Sequence, residues 1–130
     1  MRVLIDTHIV IWAYERNTRL SATASATLGS GLHSIFVSTA SLWEIAIKLS
    51  SGKLKLLDPF PDFVQLAVLD QGFAILPVEP SHMAAVAAMP FPTKHRDPFD
   101  RMLVAQVQTD GYRLLSADTQ LDAYGITRLW

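Results

Sequence analysis

With 130 residues, half of them hydrophobic, and a formal net charge of −1, the chain has the length of one domain and lacks a strong electrostatic signature. That charge excludes the ordinary nucleic-acid binder, in which excess Lys and Arg meet the phosphates, and the absence of cysteine excludes a disulfide framework or a thiolate metal site. Lacking any apolar run near the roughly 20 residues that span a bilayer, the chain must place its apolar excess in a core or against another chain, which makes an oligomer the expectation.

Val3-Leu4-Ile5 is a short continuous apolar run, as a strand buried on both faces requires. Asp6 interrupts it too early for a secretory signal, so a cytoplasmic address is expected. A helix follows through Ile9, Val10, Trp12, Ala13 and Tyr14. Leu20-Ser21 opens an Ala-rich helix ending near Gly29 or Gly31, and Ile35-Phe36-Val37 is a second strand. Ser41 is placed to cap a helix running through Trp43, Glu44, Ile45, Ile47 and Leu49 to the stop at Ser51-Gly52.

Pro59 and Pro61 precede a helix that carries Phe63, Leu66, Ala67 and Val68 and closes at Gly72; a third strand spans Phe73 to Val78. Ser81 begins another Ala-rich helix, ended by Pro90, and residues 90–96 form a loop. Asp97-Pro98 opens a helix to about Asp110, with Gly111 just beyond its end. A fourth strand at Arg113 to Ser116, a short helix from Asp118 to Tyr124 and an edge strand at Ile126 to Leu129 complete the chain. This alternation predicts one α/β domain over residues 1–130 with a mainly parallel sheet.

The acids fall at informative places in that pattern. Asp6 follows the first strand and Asp118 the fourth, while Glu44, Asp97 and Asp100 lie in first turns of helices. Parallel α/β sheets bind ligands beyond the carboxyl ends of their strands, near the topological switch point. Carboxylates gathered there repel one another unless a cation neutralises them. Oxygen donors suit hard ions such as Mg²⁺ or Mn²⁺, which also take phosphate oxygens and activate water for phosphodiester cleavage.

Each acid also has an ordinary structural reading. Asp6, Asp97 and Asp118 are good helix caps, Ser41 and Glu44 have capping-box spacing, and Asp100 suits a helix N-terminus. Their joint placement outweighs any one of them. Among the other polar residues, Ser116 is placed to orient the site or to satisfy a turn. Lys94, Arg96 and Arg101 are candidates for holding RNA phosphates. His8 and His95 rank low because no H-x-x-x-H spacing supports them, and Trp12 and Trp43 read as core or interface packing.

The motifs resemble the PIN-domain family, and within it the VapC-type toxin ribonucleases. The resemblance is carried by Val3-Leu4-Ile5-Asp6-Thr7-His8, by Ser41-Leu42-Trp43-Glu44-Ile45-Ala46, by the run His95-Arg96-Asp97-Pro98-Phe99-Asp100-Arg101-Met102-Leu103-Val104-Ala105-Gln106, and by Leu114-Leu115-Ser116-Ala117-Asp118. It implies a PIN-like three-layer α/β/α sandwich around a parallel sheet. It also implies Mg²⁺- or Mn²⁺-dependent cleavage of RNA by the toxin of a VapBC-type toxin–antitoxin pair, a homodimer, and a VapB-like antitoxin partner. By position, Asp6, Glu44, Asp100 and Asp118 match the family's catalytic and metal-binding acids, and Asp97 either shares the metal or only caps the helix.

Three rivals stand beside this reading. A phosphohydrolase of the haloacid-dehalogenase kind needs Asp-x-Asp after the first strand, where this chain has Asp6-Thr7-His8. A non-catalytic PIN-like binding module would have lost several acids. An RNA-processing nuclease without an antitoxin would share the site and differ only in its partners.

Overall fold

The computed structural model describes residues 1–92 and 94–130. Its centre is a sheet of five parallel strands in the order β3-β2-β1-β4-β5, formed by β1 (Arg2–Ile5), β2 (Ser34–Ser38), β3 (Ala74–Leu76), β4 (Arg113–Leu115) and β5 (Arg128–Leu129). The apolar run at the start of the chain explains the central place of β1. Val3 and Ile5 enter one core cluster with Ile35, Val37 and Leu115, whereas Leu4 enters a second with Leu114. Successive side chains thus face opposite sides, and both sides are dry, as the middle strand of a parallel sheet requires.

Helices cover both faces. The first cluster takes Ile9 and Val10 from α1 (Thr7–Glu15), Ala24 from α2 (Ala22–Gly29), Ile45 from α3 (Thr39–Ser50) and Phe63 from α4 (Phe60–Val64). On the other side, Leu103, Val104 and Val107 of α6 (Pro98–Asp110) form the second cluster, with α5 (Pro80–Ala88) packed against α6. The expected three-layer α/β/α sandwich is what the structure has. The stop of α6 is also where the sequence puts it: Gly111 takes φ 75°, a left-handed conformation that costs glycine little.

Several boundaries differ for local reasons. The cap of α3 is Ser38, whose hydroxyl accepts the Ala40 N–H at 3.1 Å, so β2 passes straight into the helix. Ser41 is therefore fully buried inside α3, the Ser41–Glu44 capping box does not form, and Glu44 stands in the second turn. Helix α5 starts at Pro80, one residue earlier than expected, because proline suits the first helical position. A π-helical turn at Gln65–Leu69 extends α4, and the segment after Asp118 is a 3₁₀ helix, Thr119–Tyr124. The sheet's edge strands β3 and β5 are shorter than their apolar runs. Of the loop expected at residues 90–96, Thr93 lies outside the described residues.

Candidate active site

The strand order reverses direction at β1: β2 lies on one side and β4 on the other. The carboxyl ends of β1 and β4 therefore form the switch point where an α/β sheet accepts a ligand. Register pairs Ile5 with Leu115, so Asp6 and Ser116 emerge side by side. Ser116 Oγ donates to Asp6 Oδ2 at 2.7 Å and accepts the Asp118 N–H at 3.0 Å. The Thr7 N–H donates to Asp6 Oδ1 at 2.7 Å. His8 Nε2 accepts the Ala117 N–H at 3.1 Å, which places the proton of a neutral ring on Nδ1, 3.5 Å from Asp6 Oδ2.

Asp6 is only 2% exposed. Burial pushes its carboxyl above the ordinary range; His8, Ser116 and Thr7 pull it back, and the charge of Glu44 adds to the rise. An aspartate that only capped α1 would need the Thr7 contact and neither the burial nor the acidic neighbour.

A second group of acids arrives from the N-terminus of α6. Asp97 Oδ1 accepts the N–H groups of Phe99 at 2.9 Å and Asp100 at 3.0 Å, so Asp97 is the helix cap. Asp100, in the first turn, is pushed up to about 8, first by burial and then by the charges of Asp6, Asp97, Asp118 and Glu44. Its Oδ2 lies 3.0 Å from His95 Nε2. Ligand atoms of His95, Asp100 and Asp118 all fall within 4.8 Å of one another. Asp118 also caps the 3₁₀ helix through the Gln120 N–H at 2.9 Å. Glu44 is buried on α3 and pairs with Lys48 at 3.0 Å.

The structure thus draws acids from four separate stretches of chain into one electrostatic neighbourhood, with the tightest contact among His95, Asp100 and Asp118. Asp6 and Glu44 stand outside that tightest set and reach Asp100 through their charge. The donor set fits a hard divalent ion. Carboxylate oxygens predominate, and the burial and neighbouring acids that push Asp100 up are what a bound cation would offset.

The basic candidates separate. Lys94 and Arg96 are exposed in the loop before α6, and the Arg96 guanidinium lies 4.0 Å over the Phe91 ring. Arg101 is buried: it donates to the carbonyls of Met89 at 2.8 Å and Pro90 at 3.1 Å and stacks on Phe91 at 3.8 Å. Those contacts commit it to the shape of the loop. Trp12 packs partly buried against His8, but Trp43 is 65% exposed, edge-on to Phe99, and does not belong to the core. His95, ranked low from its spacing, is the main residue that sequence reasoning missed. Its position two residues before the Asp97 cap was visible; its burial against Tyr124 was not.

Among the described residues, no helix is long and apolar enough to cross a membrane. The PIN domain family's sequence profile matches residues 3–126. Ribonuclease VapC22 of Mycobacterium tuberculosis is 28% identical over 124 residues, which cover 94% of this chain and 91% of that protein. Among solved structures, VapBC2 from Rickettsia felis bound to a DNA fragment from its promoter aligns over 100% of both chains, with a TM-score of 0.70 at 10% identity. FitAcB from Neisseria gonorrhoeae gives 0.69 at 16% identity over 97% of this chain and 95% of that one. FitAB bound to an IR36 DNA fragment gives 0.67 at 17% identity over 97% and 92%. At those identities the structural likeness establishes the fold.

Proposed function

The chain belongs to the PIN domain family, and from that premise we propose that it is a Mg²⁺- or Mn²⁺-dependent endoribonuclease, the toxin of a VapBC-type toxin–antitoxin pair. The observation that carries this reading is the convergence of Asp6, Glu44, Asp100 and Asp118 on the switch point, close enough for each to raise or be raised by another. A purely structural set of caps has no need to meet.

In this reading Asp6 and Asp100 hold the ion, and Glu44 and Asp118 assist directly or through water, with Asp118 able to complete a second, weaker site. When bound, the ion supplies Lewis acidity, lowering the pKa of water and offsetting charge on phosphate oxygens. The protein's own part is positioning. Ser116 and the Thr7 N–H fix the two oxygens of Asp6, Asp97 holds the first turn of α6 so that Asp100 faces the other acids, and Lys94 and Arg96 on the exposed loop meet the RNA backbone. Arg101 serves by shaping that loop.

The partners follow from the relatives. VapC22 is named a ribonuclease, and the structural neighbours are VapBC2 and FitAB assemblies, two of them on DNA. They support an antitoxin of the VapB kind as partner here. A homodimer accounts for exposed apolar side chains such as Trp43 and Ile47 on α3. The deciding experiment compares wild type with Asp6→Asn. Wild type should cleave RNA with Mn²⁺ or Mg²⁺ and stop with EDTA, and should arrest growth unless the product of a neighbouring short gene is co-expressed. D6N should fold and do neither. Cleavage by D6N at the wild-type rate would end the assignment; cleavage without growth arrest would point to RNA processing without an antitoxin.

A further inference from the structure

We propose that His95, aligned by Tyr124, is a positioning residue of the acidic centre: it donates through Nε2–H to Asp100 Oδ2 and fixes the direction in which that carboxylate faces. The inference rests on the metal-nuclease reading above and assigns a role to two residues outside the acidic set.

The hydrogen bonds are assigned the direction that uses every donor in the chain. The Arg101 guanidinium carries only donors. Its Nη1 lies 3.4 Å from the Tyr124 hydroxyl, whose oxygen therefore accepts. The phenolic hydrogen is then free to point at His95 Nδ1, 2.7 Å away. A nitrogen that accepts carries no proton, so the proton of the neutral imidazole sits on Nε2, where Asp100 Oδ2 receives it at 3.0 Å. The chain runs Arg101 to Tyr124 to His95 to Asp100 without a donor facing a donor.

The chain is also rigidly based. Arg101 is anchored by two backbone carbonyls and by Phe91. The Tyr124 ring meets the His95 ring edge-on at 5.5 Å, and only 6% of the His95 side chain is exposed. A buried imidazole held from behind has one orientation, and it occupies one oxygen of Asp100 while the other remains for an ion. Groups that orient a metal-ligating carboxylate commonly change metal affinity by about 10–100-fold when removed. In this tautomer His95 orients Asp100 and is not itself a ligand, although its ring lies within ligand distance of Asp100 and Asp118.

The test is Mn²⁺ binding without RNA, read from the free-ion electron paramagnetic resonance signal, on wild type, Tyr124→Phe, His95→Ala, His95→Gln and Asp100→Asn. Y124F and H95A should each bind Mn²⁺ about 10-fold more weakly or worse. H95Q, which keeps an N–H donor, should recover part of the loss, and D100N should bind none. RNA cleavage by Y124F should return toward wild type at saturating Mn²⁺. Wild-type affinity in both Y124F and H95A would overturn the proposal, as would a loss in H95A as complete as in D100N, which would make His95 a ligand. If H95A does not fold, Y124F decides alone, since it removes one oxygen. Wild type that binds no Mn²⁺ would instead overturn the metal-nuclease reading, and this inference with it.

Discussion

At the first turn of α6, Asp100 lies 3.0 Å from His95 Nε2; at its last residue, Asp110 lies 2.6 Å from His82 Nε2. Both histidines are buried; the first pair lies within one stretch of chain, and the second joins α5 to the end of α6. Their surroundings differ. His82 Nδ1 accepts the Glu79 N–H at 2.9 Å, so its Nε2 proton goes to Asp110 and every polar atom of the ring has a partner. That pair ties the start of α5 to the end of α6, where Arg2 also donates to the Asp110 carbonyl. Asp100 instead faces four other acids and is pushed up to about 8. A histidine–aspartate contact is therefore no sign of chemistry in itself. What marks a site is charge of one sign gathered where burial should exclude it, with Lys48 beside Glu44 leaving the rise at Asp100 in place.

The largest expected effect sets the two ends apart. Asp100→Asn should abolish RNA cleavage while leaving the fold intact, and at pH 7.5 without metal it should melt above wild type because the amide needs no proton uptake on folding, whereas Asp100, ionised in the unfolded chain, is held protonated to about 8 in the native one. His82→Ala should do the reverse. It leaves a cavity and an unpaired Asp110, a cost of about 2–4 kcal/mol in stability, with cleavage per folded molecule unchanged. Denaturant titration and an RNA-cleavage assay on both variants measure the two effects separately. An H82A protein with wild-type stability and no activity would erase the distinction.

The next effect is pH dependence, whose sign can be worked out from Asp100. In the unfolded chain its carboxyl loses a proton near the ordinary value of about 4; in the metal-free native state it keeps the proton to about 8. Between those values the folded state binds more protons, so stability falls as pH rises. Asp6, raised by its burial, acts in the same direction. The melting temperature of EDTA-treated protein should therefore decline from pH 5 to pH 8, and D100N should flatten the slope. Mn²⁺ competes with those protons, so the rise in melting temperature on adding it should grow with pH in wild type. A metal-free profile that is flat in wild type would show that Asp100 and Asp6 titrate normally.

How much of this was legible beforehand depends on the range of the interaction. The α/β class, the parallel sheet and the stop of α6 at Gly111 follow from apolar runs and local turn chemistry, which the sequence displays directly. The start of α3 differs because the expected cap, Ser41, lies inside the helix, and Ser38 at the end of β2 takes that role. The acids were visible as residues at the ends of elements. Their mutual influence was not, since Asp6 and Ser116 meet through strand register and Asp100 meets Asp118 through the packing of α6. His95 was undervalued for the same reason: its partner Tyr124 is far along the chain and carries no motif.

The smallest effect concerns Asp97, which the sequence leaves open between cap and ligand. Its Oδ1 accepts the N–H groups of both Phe99 and Asp100, the work of a cap, while its charge contributes to the rise at Asp100. Asparagine caps a helix about as well as aspartate, whereas alanine costs about 1 kcal/mol. Asp97→Asn should therefore keep the native melting temperature to within a few degrees, retain cleavage, and shift Mn²⁺ affinity only through the loss of one nearby charge. Asp97→Ala should lose about that 1 kcal/mol of stability. If D97N lost Mn²⁺ binding as completely as D100N, Asp97 would be a ligand, and the first turn of α6 would supply two donors to the ion instead of one.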